Sequence, residues 1–155
     1  MTQEEKDLLL KDLCARLPYG IKCEHMNWDI KAQDYVTMIS VLYGITHDAP
    51  IFKYINNEEI FICESEFGID YIKPYLFPLS NITEEQRNII SNKIKEIQIN
   101  NPPFGKIHKS GTDNLLNNIT LCAQWLINYY IENHFDYRGL IGKGLAIDAT
   151  GLNIY

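Results

Sequence analysis

Few side chains in this sequence are spaced for chemistry, and one short segment holds the densest group of them. His134, Asp136, Tyr137 and Arg138 fall within a single run between a long apolar stretch and a glycine cluster. A histidine beside a carboxylate can act as a general base, and an arginine can clamp an anion. The same residues also suit a helix exit, with His134 near the negative end of the dipole, Asp136 as a cap and Arg138 in a structural ion pair. Gly139, Gly142 and Gly144 fit neither a P-loop nor a dinucleotide fingerprint, because the strand before and helix after are missing. Helix termination and a tight turn are the favoured reading. Glu58, Glu59, Glu64, Glu66 and Asp70 make one region acidic without calcium-loop spacing. Cys14, Cys23, Cys63 and Cys122 form no C-x-x-C pair and have no histidine at ligand spacing, so reduced, mostly buried thiols are expected. No serine sits in a nucleophile elbow. No catalytic residue, metal site or cofactor is assigned.

The sequence also carries ten Tyr against six Phe. Tyrosine is amphipathic and favoured at interfaces, so this bias hints at a contact surface. Two groups are candidates for binding: Tyr19, Tyr75 and Phe77, and His134, Tyr137 and Arg138.

These residues must be positioned by a mixed set of elements. Thr2 and Glu5 form a capping box that opens a helix with Leu9, Leu10, Leu13 and Leu17 as its stripe, stopped by Pro18 and Gly20. The period then shortens. Strands are expected at 21–24, 35–42, 51–55, 60–63 and 69–72, with a hairpin turn at Asn56 and Asn57. Pro74 and Pro78 punctuate an extended stretch, and Thr83 with Gln86 caps a second helix whose stripe is Ile90, Ile94 and Ile97. After a loop over 100–111, Thr112 or Asp113 opens the longest helix, with Leu115, Ile119, Cys122, Leu126 and Tyr129 or Tyr130 facing inward. A short strand is expected at 145–147. The fold class is α+β: a small bent antiparallel sheet, or an SH3-like partial barrel, braced by about three helices. One domain should cover 1–155, with an N-terminal helix over 1–20, a β-rich region over 21–75, and a helical region with a short strand over 76–155.

Composition narrows the class of function. The 155 residues are 46% hydrophobic and 22% charged, ordinary for a globular domain. A net charge of −6 disfavours broad nucleic-acid binding, and Lys106, His108 and Lys109 make only a short basic patch. The chain opens without a signal peptide and holds no apolar run of about 20 residues, so a cytoplasmic protein with no membrane segment is expected.

Three stretches carry a resemblance: Leu8–Gly20; Ile72–Ser80, followed by Thr83–Gln86; and Asn133–Ile141, followed by Gly144–Ala146. With these motifs at both ends and in the middle, the chain resembles a family of short proteins of gut anaerobes, their prophages and other mobile elements. The segments 21–70 and 98–120 lie outside the likeness, and Gly142 stands where a charged residue is expected. The resemblance implies a mobile-element accessory protein and transfers no catalytic residue. A non-enzymatic protein-interaction role follows as the favoured expectation, with a host or phage protein as partner and the chain a monomer or weak dimer. The alternative is a protein that binds or sequesters a small anionic ligand or nucleotide through Arg16, Arg138 and Lys143. A hydrolase using His134 and Asp136 comes third.

Overall fold

A computed structural model describes residues 1–29, 32–46, 49–56, 59–64, 67–100 and 111–155; the side chains of 54–56, 59–64 and 111–115 are not described. The chain is α+β. It opens with α1 (Gln3–Arg16), where Glu5 N donates to Thr2 Oγ1 at 3.2 Å and Thr2 N donates to Glu5 Oε2 at 2.8 Å. The capping box thus satisfies two orphan donors of the first turn. A 3₁₀ turn (Leu17–Tyr19) then ends at Gly20, whose φ of +67° suits glycine. The helix buries Leu9, Asp12, Leu13 and Arg16. This corrects the expected stripe: Leu10 is exposed, and the position one turn beyond Asp12 belongs to an arginine.

Five strands follow: β1 (Lys22–Asp29), β2 (Asp34–Thr46), β3 (Ala49–Asn56), β4 (Glu59–Glu64) and β5 (Lys73–Leu76). Each of β1 to β4 pairs antiparallel with the next, and β5 pairs antiparallel with β1. A later strand, β6 (Ile147–Asp148), lies parallel to β5, so the order is β4-β3-β2-β1-β5-β6. The sheet is mixed and open; it does not close into a barrel, which settles the architecture in favour of the sheet. Register shifts between Leu42 and Gly44, a bulge that bends β2.

The strand expected at 69–72 is instead a 3₁₀ turn (Ile69–Tyr71), and the strand begins after it and includes Pro74. Proline cannot donate to a ladder, and the β1–β5 pairing is accordingly two residue pairs long. The turn at 57–58, the loop at 101–110, Glu58, Glu66 and the basic patch lie outside the described residues.

Alternation gives the sheet two unlike faces. Cys23, His25, Ser40, Leu42 and Phe52 point to the face covered by α1, where Leu9, Leu13, Ile72, Leu76 and Leu140 complete the core. The core therefore joins residues from both ends of the sequence. The opposite face carries Glu24, Met26, Trp28, Tyr35, Thr37 and Ile39, as the pairs Trp28↔Tyr35 and Glu24↔Ile39 require.

Two helices come last. Helix α2 (Glu84–Asn100) keeps its box, since Gln86 N donates to Thr83 Oγ1 and Thr83 N to Gln86 Oε1. Its Ile90, Ile94 and Ile97 are half-buried. Helix α3 (Gly111–Glu132) half-buries Cys122, Leu126, Tyr129 and Tyr130 of the expected stripe, with Trp125 beside them, but buries Asn118 and leaves Ile119 exposed. Of the three described thiols only Cys23 is buried; Cys122 is half-buried and Cys14 exposed, and none is in a disulfide. No helix among the described residues is long and apolar enough to cross a membrane.

Candidate functional site

The segment that ends α3 is organised by backbone geometry. His134 N donates to Ile131 O at 3.2 Å and Phe135 N to Tyr130 O at 2.8 Å. Those two bonds make a Schellman termination with His134 in the left-handed position, at φ +57°. Glycine usually stands there because a Cβ strains it. The hydrophobic contact of the motif is also present, as the Phe135 and Tyr130 rings meet at 6.2 Å.

Two contacts and the residues that support them hold His134 in place. Its ring stacks on Tyr155 at 4.1 Å and 15°, and its carbonyl accepts from Phe77 N at 2.9 Å. Phe77 in turn accepts from Asp136 N at 2.8 Å, and its ring lies between Phe135 and Tyr155. The Tyr155 hydroxyl donates to Tyr75 O at 2.8 Å. Burial, reinforced by the Arg16 charge, pushes the His134 pKa down to about 4. The imidazole is therefore neutral at pH 7 and offers the helix dipole no charge. Among the described residues its Nδ1 is buried without a hydrogen-bond partner.

The two charged neighbours are committed elsewhere. Asp136 accepts from Leu140 N at 2.8 Å and Ile141 N at 2.9 Å, one with each carboxylate oxygen. Arg138 Nε donates to Asp12 Oδ1 at 3.1 Å, with its guanidinium 4.7 Å from the Tyr137 ring centre. Arg16, fully buried, donates to Asp12 Oδ2 at 2.7 Å, to Phe135 O at 2.8 Å and to Ile131 O at 3.3 Å. One guanidinium on α1 thus caps the carbonyl end of α3 while neutralising Asp12. Asp136 makes no bond to His134, and both Arg16 and Arg138 Nε donate to oxygens of the protein.

Of the sequence-based candidates, the structure gathers His134, Tyr137, Arg138, Phe77 and Tyr75 around Arg16 and Tyr155. Tyr75 is buried, with its hydroxyl on Glu24 at 3.3 Å. Tyr19 is exposed on the turn after α1 and shares none of these contacts. Sequence reasoning missed Tyr155 and Asp12, which are far from the segment in sequence. It also missed His25, whose ring stacks on Phe52 at 3.8 Å and whose Nε2 lies 3.0 Å from Ser40 Oγ. That pair is buried beneath α1 and satisfies a hydroxyl in the core; burial pushes the His25 pKa down. Among the described residues no group of three or more His, Cys, Asp or Glu could hold a metal. A cavity of 280 Å³ opens beside α1, lined by Lys6, Asp7, Leu10, Ile45, Pro50 and Asp70 among others, away from the arginines.

Exposed apolar side chains lie elsewhere, on α3 at Leu116, Ile119 and Leu121, and on the sheet face that α1 does not cover. Trp28 is 42% exposed, Tyr35 43%, Ile39 49% and Tyr43 57%. The Trp28 and Tyr35 rings meet edge-on at 5.0 Å, Tyr35 meets Phe67 at 4.9 Å, and Phe67 meets Tyr71 at 5.0 Å. Strand alternation could have found the first four, but only once the register was known. No protein-family profile, curated protein or solved structure matches the chain.

The depressed His134 pKa has a measurable consequence. A histidine held neutral in the fold but free to protonate when unfolded contributes stability that is whole above about pH 6.5 and is lost as pH falls toward about 4. Urea denaturation should show up to about 3 kcal/mol lost across that window. His134→Phe keeps a ring against Tyr155 and should flatten the slope; an unchanged slope in the variant would place the titration elsewhere.

Proposed function

We propose that this chain is a non-enzymatic protein-interaction domain that meets its partner through the uncovered face of the sheet. The observation that carries the reading is the row of exposed Trp28, Tyr35, Ile39 and Tyr43 on the sheet face opposite α1. An antiparallel sheet can leave one face in water, but such a face is ordinarily polar, and grouped aromatic side chains there suit recognition. The commitment of His134, Asp136 and Arg138 to backbone and ion-pair contacts supports a binding role over hydrolysis. The likeness to proteins of mobile elements and prophages supports an accessory role, with a host or phage protein as partner. The free thiols at Cys14, Cys23 and Cys122 support a cytoplasmic setting.

The test is affinity capture from a native host with quantitative mass spectrometry, using the wild type beside Ile39→Asp and Tyr43→Asp. Both side chains are more than half or nearly half exposed, so the variants should melt with the wild type within about 0.5 kcal/mol. A partner held by the wild type and lost by both variants supports the reading. A partner retained equally by all three removes this face from the function.

A further inference from the structure

We propose that a groove along α2 binds a small amphipathic anion, a carboxylate or phosphate monoester whose head group sits on Arg87, Ser91 and Lys95 and whose apolar body lies on Ile90, Ile94 and Tyr130. The site is separate from the sheet face and does not depend on the interaction reading above.

The shape of the groove accounts for the apolar body. It has a volume of 510 Å³ and runs along α2, with Tyr130 reaching in from near the end of α3. Small-molecule sites commonly measure about 300–1,000 Å³, so a compact ligand fits. Ile90, Ile94 and Tyr130 are half-buried, and their remaining surface forms the floor. An alkyl chain or an aromatic ring laid on that floor takes apolar area out of water on both partners, which favours binding in proportion to the area covered.

The charge of the groove accounts for the head group. Arg87, Ser91 and Lys95 follow at a spacing of four, so they form one exposed line along the helix, with about 6 Å between neighbours. An anion above Ser91 is in reach of its hydroxyl and of both long cationic side chains. Ile90 and Ile94 stand one residue before Ser91 and Lys95, on the half-buried side of that line. The head group and the apolar body of one molecule can therefore be met side by side. Lys93 on the same helix pairs with Glu96 at 2.8 Å, but Arg87 and Lys95 make no ion pair among the described residues. The described lining includes no carboxylate, although the chain carries a net charge of −6. Two unpaired cations and a hydroxyl beside apolar surface select a negative head group, because charge-assisted hydrogen bonds strengthen where water is partly excluded. Arg16 and Arg138 do not compete for it, since Asp12 and the carbonyls of the α3 exit already hold them.

The experiment is an NMR titration of the isotope-labelled protein with octyl phosphate, octanoate, octanol, octylammonium and inorganic phosphate, read from the backbone amide shifts. The variants are Arg87→Gln, Lys95→Gln and, as a control with the same charge change outside the groove, Lys93→Gln, each checked by melting temperature. Octyl phosphate and octanoate should shift the amides of residues 87–98 and of Tyr130. They should bind about tenfold or more tightly than octanol, octylammonium or inorganic phosphate. Arg87→Gln and Lys95→Gln should each weaken octyl phosphate about fivefold, and Lys93→Gln less than about twofold. The proposal is overturned if no amide of the groove shifts, if octanol, octylammonium or inorganic phosphate binds as well as octyl phosphate, or if Lys93→Gln and Lys95→Gln lose equally. Co-sedimentation with anionic phospholipid vesicles that Lys95→Gln abolishes would put the head group on a membrane surface and overturn the free ligand. None of these outcomes bears on capture through Ile39 and Tyr43, so the two readings fail separately.

Discussion

Arg16→Ala should cost about 3–5 kcal/mol, the range for breaking a buried ion pair by removing one partner. The guanidinium lies at 0% exposure and donates to Asp12 and to two carbonyls of the α3 exit. Truncation leaves Ile131 O and Phe135 O without their donor, and the Asp12 carboxylate with only the partly exposed Arg138. Each orphaned polar group carries its own desolvation cost of roughly 1–3 kcal/mol. A domain of this size has about 5–15 kcal/mol in hand, so the variant should unfold at markedly lower urea. Arg138→Ala should cost less, about 1–2 kcal/mol, because Asp12 keeps the buried Arg16. Equal losses in the two variants, or a loss for Arg16→Ala under about 1 kcal/mol, would contradict the capping role assigned to the guanidinium.

The second large effect lies in the core. Leu13→Ala should cost about 2–5 kcal/mol, since Leu13 is fully buried beneath the sheet and its removal leaves a cavity that packed neighbours fill only in part. Leu126→Ala is the informative contrast. Leu126 is half-buried on α3, so its truncation should cost about 1 kcal/mol or less. Urea denaturation of both variants checks the pair. If Leu126→Ala proves the costlier, α3 packs more deeply than its exposed Leu116, Ile119 and Ile127 indicate.

Legibility in the sequence followed the range of the forces involved. Thr2 with Glu5 and Thr83 with Gln86 are readable because a capping box is closed within four residues, and both boxes form as the spacing predicts. The strands of the hairpins were readable from β-branched residues and turn chemistry. Pro74 misled the reading of 69–72, because a proline that ends most strands is tolerated here in the short pairing of β5. On α3 one position of the stripe was misplaced: Ile119 is apolar and Asn118 is not, yet packing buried the asparagine. For the candidate site, the helix-exit role of 134–138 was visible locally, including an ion pair for Arg138. Its partner Asp12 was not, because sequence carries no direct mark of a contact that spans 126 residues. The aromatic row was invisible for the same reason: Trp28 and Tyr35 meet through a hairpin, and Phe67 and Tyr71 arrive from beyond β4.

The guanidinium that joins α1 to the end of α3 also sets the timing of folding. Its carbonyl partners lie 115 and 119 residues downstream. At about 5–20 residues per second, a ribosome needs roughly 6–25 s to make that stretch. Throughout this interval α1 is a nascent helix whose arginine has only its own Asp12 to neutralise. Contacts of such sequence separation raise the contact order and slow the search for the native state, because loop closure must come before the bonds that reward it. The Arg16 clasp therefore forms late, and weakening it should speed unfolding far more than it slows folding.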